Sequence, residues 1–434
     1  MIKQFFYYFI IHLAWNYSIL KMPFDKLYSQ NNFKKTPIEI FKELTNNLIR
    51  VNISVGEPKQ EISLNLTFES YITFLSGINV KGNFKKFNEN YSNSYKKIDN
   101  KINEFYSEHF IKGVRSSDNF HLIFYKLGEK TINNFNFVLA NELDNREETG
   151  QLGLCYGDII SGNKLSDFNF IAQLHKKNLI SSYAFTIKYN DFEQGELIIG
   201  ALPHEYDNNY KEKDFITIKT GNSHIVSWSL FFKEISYGNE ILFRKIFIEF
   251  KLEFGFIQAN SELKHKLIKE FFQYHSECHM IKDEKIYFYC DNNSGIIKFK
   301  NIIFSSEVGN YNFNLNYNDL FIKNDDKYFF LIVFPLNDDN KFWQLGKPFL
   351  KKFQFIFDQD KKLIGFYKKI YSGDFGIIFL FILSLILIVL LGIFILIFLK
   401  KNKRKKRNNE IDDGFDYELK KHNFFEIKNQ SIIF

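Results

Sequence analysis

Few residues in this chain have the type and spacing to do chemistry. Glu69 stands in a run of strand formers, and Glu249 and Glu253 share the stretch Ile248-Glu-Phe-Lys-Leu-Glu253-Phe-Gly255. Two carboxyls become an acid–base pair only when they sit about 3 Å apart and share a proton, so that one pKa is strongly raised. Glu69 with Glu249 or Glu253 is a conceivable pair, but glutamates on unmatched loops need sub-ångström placement to act together. Solvated or loop-bracing charges are the favoured reading. Cys278 and Cys290 form a second cluster, with His275 and His279 beside them. The alternatives are a disulfide and a metal site, and an oxidising compartment favours the disulfide. No metal and no cofactor is expected. Cys155 is then left over, and burial is expected for it. No phosphate loop, Ser/His/Asp triad or repeated metal-ligand spacing stands out.

The ends of the chain indicate the compartment. Residues 375–399 read FGIIFLFILSLILIVLLGIFILIFL, an uncharged run long enough to cross a bilayer as a helix. Lys400, Lys401, Lys403, Arg404, Lys405, Lys406 and Arg407 follow, a flank that is cytosolic by the positive-inside rule and suited to anionic lipid headgroups. At the other end a basic start, Met1-Ile-Lys3, precedes an apolar run over residues 5–15 that is too short to span. Residues 1–20 are expected to be a signal peptide, with an uncleaved anchor as the alternative. The expectation is a single-pass type I membrane protein of the secretory or endolysosomal system or the cell surface. Its large middle is lumenal or extracellular. Sequons at Asn52, Asn90 and Asn292 suit a glycoprotein, while Asn65 falls in an expected core strand and is not expected to be modified.

Composition excludes one partner class. The net charge is +7, and residues 400–434 account for +4 of it, ten Lys/Arg less six Asp/Glu. The remaining +3 is no nucleic-acid footprint. The 53 Phe are spread through loops and strands alike, so no single one is read as a binding aromatic. A monomer is expected.

The elements that must position the glutamates are strands. Residues 21–47 are polar and irregular, a spacer or pro-like segment. From 48 to 367 short alternating runs dominate, as in Ile62, Leu64, Leu66 and Phe68, or Trp228, Leu230 and Phe232, with turns such as Gly238-Asn239. Period two with frequent turns predicts a mainly antiparallel β protein. Two soluble helices are expected. One spans residues 170–178 with Ser166, Asp167 or Asn169 as N-cap, and the other follows Asn260-Ser261 with Leu263, Leu267, Ile268 and Phe271 on one face. Each lies late in its half, so the pattern reads as a duplicated lobe, 48–206 and 207–370. The tail, 400–434, reads as disordered, with Tyr417 and Phe424-Phe425 as weak sorting candidates.

Several motifs carry a resemblance. Gly150-Gln-Leu-Gly-Leu-Cys155-Tyr, the helical Phe170-Ile-Ala-Gln-Leu-His, the Phe185 strand and Gly195-Glu-Leu-Ile-Ile-Gly200 follow one another as in pepsin-like aspartic peptidases. Phe342-Trp-Gln-Leu-Gly346-Lys-Pro-Phe-Leu, Phe357-Asp358 and Leu363-Ile-Gly365-Phe366 resemble that family's second lobe, and Ile53-Ser-Val-Gly56-Glu-Pro58-Lys-Gln60 its entry strand. The resemblance covers residues 48–368. It implies an all-β, bilobal fold with one short helix per lobe, here followed by a C-terminal single-pass transmembrane helix. It also implies a peptide-binding cleft and two catalytic aspartates in Asp-Thr-Gly or Asp-Ser-Gly loops, each undercrossed by a hydrophobic-hydrophobic-Gly strand. Gly153 and Gly346 keep the crossing.

The aspartates are missing, since neither tripeptide occurs anywhere in the chain. Counting from Gln60 puts Thr67 at the first aspartate, with Phe68 and Glu69 after it. In the second lobe the count from Trp228, or back from Asn260-Ser261, falls on Glu249 or Phe250, depending on a one-residue gap. Thr67 takes no proton from water at any accessible pH. Tyr106, in Tyr106-Ser-Glu-His-Phe-Ile-Lys-Gly113, resembles the family's flap tyrosine, with bulkier residues in place of the flap glycines and Asp118 at the expected distance. Three functions follow for testing: a pseudoprotease that binds peptide or protein in the cleft, an endopeptidase with atypical carboxylates, and a structural or adhesive surface glycoprotein.

Overall fold

The computed structural model describes residues 18–26, 35–45, 49–82, 84–99, 102–106, 109–143, 150–156, 167–190, 194–221, 227–337, 343–370, 383–401 and 403. Residues 1–17 of the expected signal segment, residues 371–382 and the tail beyond 403 lie outside these. The chain divides into Met1–Ile370 and Tyr371–Phe434. In the second unit Leu383–Lys401 is a helix of 19 residues with mean hydropathy 3.0 and no residue buried, long and apolar enough to cross a membrane.

Among the described residues the first unit holds two sheets, of 14 and 11 strands. The period-two pattern explains them: Val51, Ile53, Ile62, Leu64 and Leu66 point inward from paired strands, each at most 3% exposed. The first sheet is shared. The closing strands Ile356–Asp358 and Leu363–Tyr367 join it through the pair Phe185↔Phe357 and carry Phe215–Lys219 at its edge. Beneath the lobe junction the rings of Phe68, Phe185, Trp228, Phe250 and Phe357 meet at 4.8–6.1 Å. Burial of each such ring contributes about 1.5–3 kcal/mol. Backbone polar groups cross here too: Trp228 Nε1 donates to the Leu154 carbonyl at 3.0 Å, and Tyr156 OH to that of Ser227 at 3.1 Å.

Both predicted helices form. Phe170–Lys176 starts with the Asn169 side chain accepting from Ala172 N, and Ser261–Glu270 with Asn260 accepting from Leu263 N. Short helices at Pro203–Tyr206, Tyr317–Leu320 and Lys347–Phe353 are additional.

In the segment read as an irregular spacer, the described residues are structured. Ile19–Lys26 is a strand between Gln194–Ile199 and Ile49–Val55 in the first sheet, and Pro37–Thr45 is a helix. Its reason is local. Thr36 and Glu39 exchange hydrogen bonds as a capping box ahead of Pro37, and Ile40, Phe41 and Leu44 form an apolar stripe. That stripe packs on Phe256, Tyr287, Phe329 and Val333 of the second lobe.

Candidate functional site at the lobe junction

Each lobe builds its site loop in the same way. Strand Gln60–Thr67 runs parallel to Gly150–Gly153, pairing Leu66↔Leu152 and Thr67↔Gly153. Strand Glu240–Phe250 runs parallel to Gln344–Leu345, pairing Phe250↔Leu345, so one more step brings Lys251 level with Gly346. The return strands confirm the equivalence: Leu152 faces Thr73, six residues after Thr67, and Leu345 faces Ile257, six after Lys251. The second loop therefore opens at Lys251. Glu249 and Phe250, the two positions expected from counting, lie in the strand before it. Glu249 accepts from Ser227 Oγ at 3.0 Å, and Phe250 is 1% exposed within the aromatic core.

The glycines beneath the loops have no room for a side chain. A Cβ at Gly153 would lie 2.6 Å from both Ile72 N and the Ser70 carbonyl oxygen. At Gly346 it would lie 2.2 and 2.3 Å from the carbonyl oxygens of Phe256 and Phe254. Backbone on both sides excludes relief by rotamer change.

The aligned loops read Thr67-Phe68-Glu69 and Lys251-Leu252-Glu253. Both carry glutamate at the third position, and both glutamates cross the lobe boundary. The Glu253 carboxylate oxygen Oε1 accepts from Thr67 Oγ1 and, at 2.8 Å, from Phe68 N. The Glu69 carboxylate takes the Lys251 ammonium at 3.2 Å, with both side chains about four-fifths buried. Thr67 Oγ1 also accepts from Glu69 N at 2.9 Å, so the two ties share a hub. Each glutamate thus grips the first residue of the opposite loop. Phe68 brings no side-chain hydroxyl to the junction. The structure keeps a cross-lobe bond to the Phe68 N–H, with Glu253 as its acceptor.

The electrostatics are uneven. Burial pushes the Glu253 carboxyl above the usual carboxylate range, and the Glu69 carboxylate pushes the same way. The Thr67 hydroxyl and the Lys251 ammonium oppose this without overcoming it. Part of Glu253 stays accessible, but its Oε2 is sealed from solvent and has no hydrogen-bond partner among the described residues. Burial alone would lower the Lys251 pKa, yet Glu69, Glu253 and Glu249 together hold it above the usual lysine range. Lys251 is therefore a fixed cation and not a base.

The other expected site residues are dispersed. Tyr106 pairs with His109 at the end of the ladder between Ile102–Tyr106 and His109–Tyr125, and side chains here lie outside the described residues. Asp118 is buried and accepts from Ser94 Oγ and Asn119 N, a structural role. Cys278 and Cys290 are bridged. His275 and His279 pair instead with Glu277 and Asp291. Cys155 is buried, and burial pushes its thiol up to about 12. Asn52, Asn90 and Asn292 are exposed, while Asn65 is 4% exposed and accepts from Arg50 Nε. Lys251 was missed by sequence reasoning. Its signal was the repeated glutamate two residues on, Glu253 after Lys251 as Glu69 after Thr67.

Two β lobes on a shared sheet, each with a loop crossed from below by a Leu-Gly strand, define the pepsin-like class. The family model for eukaryotic aspartyl proteases matches residues 50–369, and the chain belongs to that family. No curated protein matches it.

Proposed function

We propose that this chain is a membrane-anchored member of the family that does not hydrolyse peptides and acts by binding peptide or protein at the junction between its lobes. One observation carries the reading: the first positions of the two loops are Thr67 and Lys251, where hydrolysis needs two carboxyls sharing a proton. Neither side chain activates water, because threonine does not ionise and Lys251 stays charged. The two nearby carboxyls already serve as cross-lobe ties. The uncharged run and its basic flank support a type I topology with a cytosolic C-terminus. Exposure of Asn52, Asn90 and Asn292 supports glycosylation there.

The test is purified protein with unfolded protein substrate between about pH 3 and 6, the range in which carboxylate dyads work. No cleavage is expected, and no response to a statine-type inhibitor. Cleavage that the inhibitor blocks would overturn the proposal. Retained capture of unfolded peptides, measured by crosslinking, is the positive counterpart.

A second reading, an endopeptidase using Glu69 and Glu253, has one observation in its favour: one carboxyl is ion-paired and the other is driven toward its neutral form. Glu69→Gln and Glu253→Gln, made separately, decide it. Activity that disappears with either supports it, and activity indifferent to both marks a contaminant.

A further inference from the structure

The long hairpin of the first lobe ends in an apolar tip that no internal packing explains. Its strands, His109–Tyr125 and Gly128–Leu143, turn over Lys126 and Leu127. Leu122 and Phe124 point inward, whereas Ile123 is 67% exposed, Tyr125 43% and Leu127 42%. Cations surround this patch. Lys126 lies over the Tyr125 ring at 5.4 Å and Lys21 at 4.3 Å, and Lys130 is exposed across the hairpin. The acid at the tip, Glu129, is neutralised by Lys59 at 2.6 Å.

The tip is linked to the exit of the chain from this unit. Lys21 also lies 5.5 Å from the Tyr206 ring. Tyr206 ends the short helix that begins at Pro203, and His204 of that helix bonds Tyr367 OH through Nδ1 at 2.7 Å. Tyr367 closes the last strand. Only Tyr371, Ser372, Gly373 and Asp374 separate Ile370 from the uncharged run that opens at Phe375. Five residue steps of chain reach at most about 18 Å.

We propose that the tip formed by Ile123, Tyr125 and Leu127 is a second membrane contact, seated at the headgroup boundary of the bilayer that the C-terminal run crosses. The occupant is phospholipid. An aromatic and two aliphatic side chains enter the interface, while Lys21, Lys126 and Lys130 stay at phosphate level. Such a patch is too small to hold a free protein, but tethering by the spanning run makes the contact intramolecular, so a weak interaction is enough. The proposal rests on the reading that the run spans.

The experiment uses the full chain carrying Leu127→Cys, labelled with an environment-sensitive nitrobenzoxadiazole probe and reconstituted in phosphatidylcholine vesicles, with and without phosphatidylserine. Tyr274→Cys, at a residue 72% exposed, is the control site. Background labelling is low because Cys155 is buried and Cys278 is bonded to Cys290. The probe at 127 is expected to emit at shorter wavelength and to be quenched severalfold more strongly by nitroxide-labelled phosphatidylcholine than the probe at 274. Equal quenching at the two sites, in a chain that resists alkaline extraction, overturns the hairpin contact and leaves the spanning reading intact. A chain that alkali extracts overturns the spanning reading, and the hairpin proposal with it. A blue shift without lipid quenching identifies a protein partner or a second copy in place of lipid, and also overturns the proposal.

Discussion

The loop that opens at Thr67 and the loop that opens at Lys251 share a frame and differ in chemistry. Both follow a strand parallel to a Leu-Gly segment, both return six residues later against the same leucine, and both carry glutamate at the third position. They differ at the first position, where one has a neutral hydroxyl and the other a largely buried cation. Each glutamate matches its opposite number: Glu253 meets the donors Thr67 Oγ1 and Phe68 N, and Glu69 meets the Lys251 ammonium. The frame depends on backbone register and on two glycines, whereas the side chains at the junction answer to the lobe across from them. A family signature can therefore vanish from both loops while the junction stays tied.

The largest effect expected of any break in this comparison is at the frame. Gly346→Ala and Gly153→Ala should each cost about 3 kcal/mol or more, since the added methyl meets backbone. Gly346→Ala should be the worse, its Cβ lying closer to carbonyl oxygens. Chemical denaturation reads both, and tolerance of either change would mean the crossing relaxes. Next comes the ion pair. Lys251→Met leaves the Glu69 carboxylate largely buried without its cation and should cost about 2–3 kcal/mol. A double-mutant cycle with Glu69→Gln should return a coupling of about 1–2 kcal/mol, and additive losses would deny the pairing.

The third test separates the two ties by pH. The folded pKa of Glu253 is raised, so between the ordinary glutamate range and that raised value the native state holds a proton that the unfolded chain has released. Its contribution is fully present below the unfolded pKa and is lost as pH rises through the folded one. Melting temperature should therefore rise on mild acidification from neutrality, and Glu253→Gln should flatten this response while Glu249→Gln leaves it. The smallest effect is on Cys155. With its thiol pushed up to about 12 by burial, it should resist thiol reagents at neutral pH until the protein is denatured.

Much of this architecture was legible. Asn169 and Asn260 marked the two helix starts, and Gly153 and Gly346 marked the crossings, because caps and close backbone approach demand particular residue types. The second loop was not. Its hairpin partner shifts register between Ile235 and Ser236, and such a bulge defeats counting from Trp228. Ile248-Glu249-Phe250-Lys251 also alternates without a break, so nothing local shows where strand yields to loop. The roles of Glu69 and Glu253 depend on a partner more than 180 residues away, beyond any local pattern. The Pro37–Thr45 helix was legible in principle, since Thr36, Pro37 and Glu39 form a helix-start signature, but a polar stretch obscured it.

The exchange of glutamates between loops also bears on whether an aspartate pair could be built at this junction. Replacing Thr67 and Lys251 with aspartate would gather four carboxyls around one sealed point and remove the ammonium that balances them. Substituting one position at a time passes through variants with a buried charge left unpaired, each less stable than what came before. The third-position glutamates therefore act as a ratchet. While they stand, an aspartate dyad cannot be built in single steps without first loosening the junction between the halves.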